Sequence, residues 1–159
     1  GEHFPNAKSH NDMLEPLRYI TTTPEFQDMM QGENIKRNID NYWLELGGNP
    51  NRAKTFIKEF YARVAFSNAQ FTSYLEGWKS DRGMCYIVFG PPTSVTKSTA
   101  SETWIYGDPD RYNSLKLTFV KLKNPFTEED FRLQRSADLK SPWYRAVEFW
   151  RQGRIINYN

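Results

Sequence analysis

The sequence predicts an α+β domain with an N-terminal antiparallel helix pair, a three- to four-stranded antiparallel meander and a closing C-terminal helix. Three observations carry this. Ala53, Phe56, Ile57, Phe60, Tyr61, Val64 and Ala65 recur at the spacing of one helix face. Beyond Gly77 the texture changes to short apolar runs bounded by Gly, Pro, Asn and Asp. A last periodic segment carries Trp143, Ala146, Val147 and Trp150. Composition adds that the core is built from rings. Aromatics make up 16% of the 159 residues, while mean hydropathy is −0.76. One cysteine excludes a disulfide scaffold, and the apolar runs are too short for a membrane span.

Taken in order, residues 1–22 lack a period and read as an extended lead-in, ahead of one domain over 23–159. Thr23-Pro24 reads as an N-cap with proline at the first helical position, and Gly32 ends that helix. Ile35, Ile39, Tyr42, Trp43 and Leu46 mark the next helix, which Gly47-Gly48 stops. Asn49-Pro50 opens the long stripe, so the connection is short and the two helices return on each other. Met84–Phe89, between Arg82-Gly83 and Gly90-Pro91-Pro92, reads as a strand. Thr93–Ser101, rich in Ser and Thr, reads as a loop. Glu102–Tyr106 and the alternating Leu115, Leu117 and Phe119 read as two more strands. Thr127–Arg135 is ambiguous. Its Thr-Glu-Glu-Asp start resembles a helix N-terminus, but Phe131 and Leu133 alternate, which favours a turn and a fourth strand over Asp130–Arg135. Ser141-Pro142 caps the last helix and Gly153 follows it.

Charge is uneven. Residues 1–50 carry a net −4 and residues 51–159 a net +6, with six basic residues against two acidic ones from Arg132 to Arg154. A solvated face explains such a run, and the aromatics beside Arg145, Arg151 and Arg154 are expected to face the core, so no nucleic-acid partner is expected. His3 and His10 are the only histidines and sit near the start, which disfavours Ser-His-Asp and Cys-His chemistry. No metal site and no cofactor are expected, since neither a P-loop nor a dinucleotide fingerprint is present. The Gly-Glu-His start suggests a domain taken from a longer precursor.

The densest motif spans residues 77–95. Gly77 and Gly83 are expected to supply positive φ at two bends, and Trp78 to plug a helix–sheet junction. Ser80 and Asp81 are expected to cap turn amides. Arg82 is expected to pair with Asp81 or with a carboxylate on a helix. Pro91-Pro92 ends the run.

Gly77, Trp78, Asp81, Arg82, Gly83, Tyr86, Ile87, Gly90, Pro91 and Pro92 together resemble the GWxTD domain family of bacterial proteins. Glu102–Tyr106, the Asn124-Pro125-Phe126 turn and Trp143…Trp150-Arg151 extend the resemblance downstream, and Arg63…Asn68-Ala69…Phe71 extends it upstream. It covers roughly residues 50–154. Ser80 stands where the family name has Thr, which keeps the hydroxyl and loses a methyl. The resemblance implies a C-terminal module of longer proteins exported to the envelope of Gram-negative bacteria, in the periplasm or at the outer membrane. It also implies that membrane association, often as a lipoprotein, comes through an anchor outside this chain. It transfers no catalytic residue.

Two classes of function follow. The first is a non-catalytic interaction or structural module binding an envelope protein, a peptide or a glycan. Trp78, Asp81, Arg82, Tyr86, Trp104 and Tyr106 are the candidate binding residues, because Trp, Tyr and Arg dominate binding hot spots. The plain alternative for Trp78 and Trp104 is a core plug. The second class is a carboxylate-based glycan hydrolase using Asp81 with a partner such as Glu102. Arg82 beside Asp81 suits a salt bridge better than a proton donor.

Overall fold

The computed structural model describes residues 10–156 and Tyr158. Six helices precede and follow a four-stranded sheet: α1 His10–Leu14, α2 Thr23–Met29, α3 Ile35–Gly47, α4 Pro50–Phe71, α5 Asp81–Phe89 and α6 Lys140–Arg151. The strands are β1 Ser94–Lys97, β2 Ser101–Tyr106, β3 Leu115–Lys121 and β4 Phe131–Leu133, an antiparallel meander in the order β1-β2-β3-β4. The predicted class and the order of helices, meander and closing helix stand.

Local rules explain most boundaries. Thr22, one residue before the expected cap, accepts from the Glu25 amide while the Glu25 carboxylate accepts from the Thr22 amide, a closed capping box. Asn49 caps α4 through the Arg52 amide, and Gly48 ends α3 in the left-handed region. The long stripe is buried at Ala53, Phe56, Phe60, Tyr61 and Val64. Trp43 of α3 meets Phe60 and Tyr61 of α4 at ring-centre distances of 5.3 and 5.9 Å, so the pair closes around rings.

Three expectations are corrected. The segment from His10 to Ile20 is not an extended lead-in, because α1 runs into a 3-10 helix over Glu15–Tyr19. Leu14, Leu17 and Ile20 are buried in the helical core. The first nine residues of that expectation, with His3, lie outside the described residues. Met84–Phe89 is not a strand but most of α5. Ser80 caps this helix through the Gly83 amide, and Gly90 closes it at φ +87°. Its apolar run is continuous because both α4 and the sheet cover it, so burial on several sides, not strand pairing, dictates the residues. Thr93–Ser101 is not a loop throughout, since Ser94–Lys97 forms β1 and is exposed along its whole length. The ladder therefore has four strands, but its first is β1.

Two ring-rich cores result. One gathers α1 to α4 around Leu17, Trp43 and Phe60. The other lies between α5, α6 and the inner face of the sheet, around Trp104, Tyr106, Leu117 and Phe119. β2 alternates, with Glu102, Trp104 and Tyr106 turned inward and the intervening residues half-buried.

Candidate functional site

The motif begins where the chain leaves α4 and packs back on it. Glycine is needed at Gly77 because a Cβ there would overlap the carbonyl of Ser67 on α4. It is needed at Gly83 because a Cβ would overlap the carbonyl of Gly77. Backbone therefore stacks on backbone in three layers: α4, the Gly77–Lys79 turn and α5. Neither glycine has positive φ, which corrects the expected reason for their presence.

Trp78 is 4% exposed and belongs to the helical core, not to a helix–sheet junction. Its amide donates to Asn68 Oδ1 at 2.9 Å and its indole Nε1 to Glu76 at 2.9 Å. Its carbonyl accepts from the Tyr19 hydroxyl at 2.7 Å, tying the segment after α1 to the motif. Burial pushes the Tyr19 phenol well up, more than the adjacent Arg18 lowers it, so it remains a donor.

Asp81 and Arg82 do not pair with each other. Asp81 Oδ2 accepts from the Leu133 amide of β4 at 2.8 Å, and Oδ1 lies 3.4 Å from Arg135. It caps a strand edge, not the turn amides expected of it. Arg82 is 5% exposed and reaches Glu102 on β2 at 3.3 Å and Glu129 in the β3–β4 connection at 2.8 Å. Neither partner is on a helix. Its guanidinium lies between the rings of Phe71 and Phe131 at 4.8 and 4.1 Å. Glu102 also accepts from Trp104 Nε1 at 2.7 Å. One polar chain thus runs from the exposed Glu129 through the buried Arg82 and Glu102 to Trp104.

Arg63 completes the arrangement at the other end of α5. It donates to the Ile87 carbonyl at 3.0 Å, pairs with Glu59 at 2.8 Å and lies 5.1 Å over the Trp150 ring. A cation at the C-terminal carbonyls of a helix is favourable. At Gly90 a Cβ would press on that guanidinium at 2.9 Å. Sequence reasoning assigned Arg63 no such role; its spacing of three and seven residues from Phe60 and Phe56 on α4 is the signal that could have found it.

Of the six expected binding residues, Trp78, Arg82, Trp104 and Tyr106 are buried. Their side chains therefore sit inside the framework in this structure. The Tyr106 hydroxyl, for instance, donates to the Gly90 carbonyl at 2.7 Å. Asp81 is partly exposed and engaged with β4. Tyr86 is half-buried, stacked at 4.4 Å on the exposed Phe66 and in edge contact with Trp104 at 6.3 Å. Burial pushes its phenol up, opposed by Arg63.

For chemistry, Asp81, Glu129 and Asp130 line one cleft of about 380 Å³, but each is held by a donor: Leu133, Arg82 and Arg132 respectively. Burial also pushes the Cys85 thiol far up, opposite to what a nucleophile needs. Among the described residues no three His, Cys, Asp or Glu gather to hold a metal, and no helix is long and apolar enough to cross a membrane.

What remains open is an edge. The Ser98 amide bonds the Ser101 carbonyl across the β1–β2 turn. Alternation then makes Thr96–Thr103 and Ser94–Ile105 the bonded pairs and turns the amides of Val95 and Lys97 outward. Val95 pairs in register with Trp104, so its half-exposed side chain is on the face where Tyr86 and Phe66 lie.

These features define an α+β framework domain in which a glycine–tryptophan turn and a buried arginine lock one helix beneath a meander. The chain belongs to the GWxTD domain family, whose sequence model matches residues 1–152. Neither the curated proteins nor the solved structures yield a match.

Proposed function

We propose that this chain is a non-catalytic interaction module of a longer bacterial cell-envelope protein, and that it takes up an extended peptide segment of a protein partner along β1. The observation that carries this reading is the outward-facing Val95 and Lys97 backbone on a strand exposed along its length. An added strand gains ladder hydrogen bonds there. Its inward side chains meet Val95 and the Tyr86–Phe66 pair, which favours apolar residues at alternate positions. β1 is short and carries Lys97, features that discourage indiscriminate pairing. The envelope setting is supported by the family resemblance alone. The non-catalytic reading is supported by the donors that occupy Asp81, Glu129 and Asp130.

The test is selection of random peptides on the folded domain, followed by binding to Val95→Pro. That substitution removes an outward donor while leaving the β1–β2 bonds in place. The expected result is at least tenfold weaker binding with an unchanged melting temperature. Selected peptides that bind Val95→Pro as tightly as the parent would overturn the reading. So would turnover of envelope glycans that is lost in Asp81→Asn.

A further inference from the structure

A second cavity is independent of the β1 edge. It measures about 360 Å³ and lies between α5, the inner face of β3 and β4, and the start of α6. Its size falls within the roughly 300–1,000 Å³ of ligand pockets. The deep wall is Cys85, Phe89 and Leu117, all buried, and Met84, Leu133, Leu139 and Trp143 continue it outward. The rim is polar and exposed: Arg135, Ser136, Lys140 and Tyr144. Two cations border an apolar interior, and no carboxylate lines it.

Arg135 is only loosely engaged, with one nitrogen 3.4 Å from Asp81 and its side chain 67% exposed. Asp138, on the turn between them, is exposed and does not line the cavity. α6 starts at this rim, and no side chain caps it. The positive end of its dipole adds to the two cations.

We infer that this cavity binds a single acyl chain carrying an anionic head group. The chain would enter toward Cys85 and Phe89, and the head would stay at the rim between Arg135 and Lys140. A neutral or cationic amphiphile of equal length gains the same apolar contacts and loses the charge complementarity. The ligand chemistry is that of an acyl anion, whose sources are a free fatty acid or an anionic lysophospholipid.

The experiment is calorimetric titration of the full chain with a carboxylate series from hexanoate to dodecanoate, with decylamine, and with lysophosphatidylglycerol. Saturable one-to-one binding of decanoate is expected. Each added methylene should tighten it about fourfold until the cavity is full. Decylamine should bind at least tenfold more weakly. Lys140→Glu, at an exposed position, should weaken decanoate about tenfold at low salt. Met84→Phe, which puts a rigid ring in place of a flexible side chain on the cavity wall, should weaken the longer chains. Trp143 gives a local readout: a brominated decanoate should quench its fluorescence, and Trp143→Phe should remove that quenching. Tighter binding of decanoate or of the lysophospholipid identifies the source, and either supports the inference. Absence of saturable binding by parent protein with an intact melting transition overturns it. Decylamine binding as tightly as decanoate, or decanoate binding unmoved by both Lys140→Glu and Met84→Phe, overturns it as well.

Discussion

The two edges of the sheet are finished differently. At β4, alternation from the Leu122–Asp130 and Gln134–Thr118 bonds turns the Phe131 and Leu133 amides outward, and both are satisfied. Phe131 donates to the Glu129 carbonyl and Leu133 to Asp81. At β1 the equivalent outward amides, Val95 and Lys97, face solvent along an exposed strand. The most distinctive segment of the sequence is therefore invested in closing one edge and fixing α5, while the plain Ser-Val-Thr-Lys segment holds the edge that stays open. The distinctive residues hold the architecture together in this structure.

The most damaging change to the closed edge lies at the backbone stack. Gly83→Ala places a methyl against the Gly77 carbonyl, where neither backbone can yield without moving α5. We expect a loss of at least about 3 kcal/mol in urea unfolding, beyond ordinary overpacking. Arg82→Met ranks next. It strands Glu102 in the interior and should cost about 3–5 kcal/mol. Adding Glu102→Gln should recover part of that loss, so the double variant should be less destabilised than the sum of the single ones. Asp81→Ala leaves the Leu133 amide without its acceptor and should cost about 1–3 kcal/mol. Asp81→Asn keeps an acceptor oxygen and should cost less than half as much. Equal costs for the two Asp81 variants would mean that charge, not the edge hydrogen bond, is what Asp81 supplies.

A smaller effect tests the contact between the N-terminal helices and α6. Burial acts to raise the Glu25 carboxyl, but bonds from the Thr22 amide and from Arg151, 2.6 Å away, hold it below the usual carboxylate range. A depressed folded-state value gives stability that is complete above the unfolded value, about 4.3. That stability is lost as pH falls from there through the folded value. Thermal melts from pH 6 to pH 3 should show this loss, and Glu25→Gln should flatten it. Both groups are partly exposed, so salt should weaken the effect.

Much of the fold was legible because local rules met little competition. Asn49-Pro50 and Gly48 set the α3–α4 corner, and alternation gave β2 and β3. The misread segments share a physical cause. A short helix buried on several sides, such as α5, has the same continuous apolar run as a buried strand. Only its end signals, Ser80 and Gly90, separate the two. β1 has no buried face, so nothing in it alternates. The α1 region breaks period at Pro16, although Leu14, Leu17 and Ile20 carry its burial. At the site, the sequence identified Asp81 and Arg82 as a unit, but their partners are 20 to 52 residues away and no local pattern announces Glu102, Glu129 or Leu133.

If the motif closes one edge of the sheet and leaves the other for binding, the outward amides of the two edges differ in protection. Residue-resolved amide hydrogen exchange on the unliganded domain tests this difference most directly. The Leu133 amide should be protected by orders of magnitude, and the Val95 amide should exchange near the rate of an unstructured chain. A protected Val95 amide, or a Leu133 amide that exchanges as fast as Val95, would contradict it.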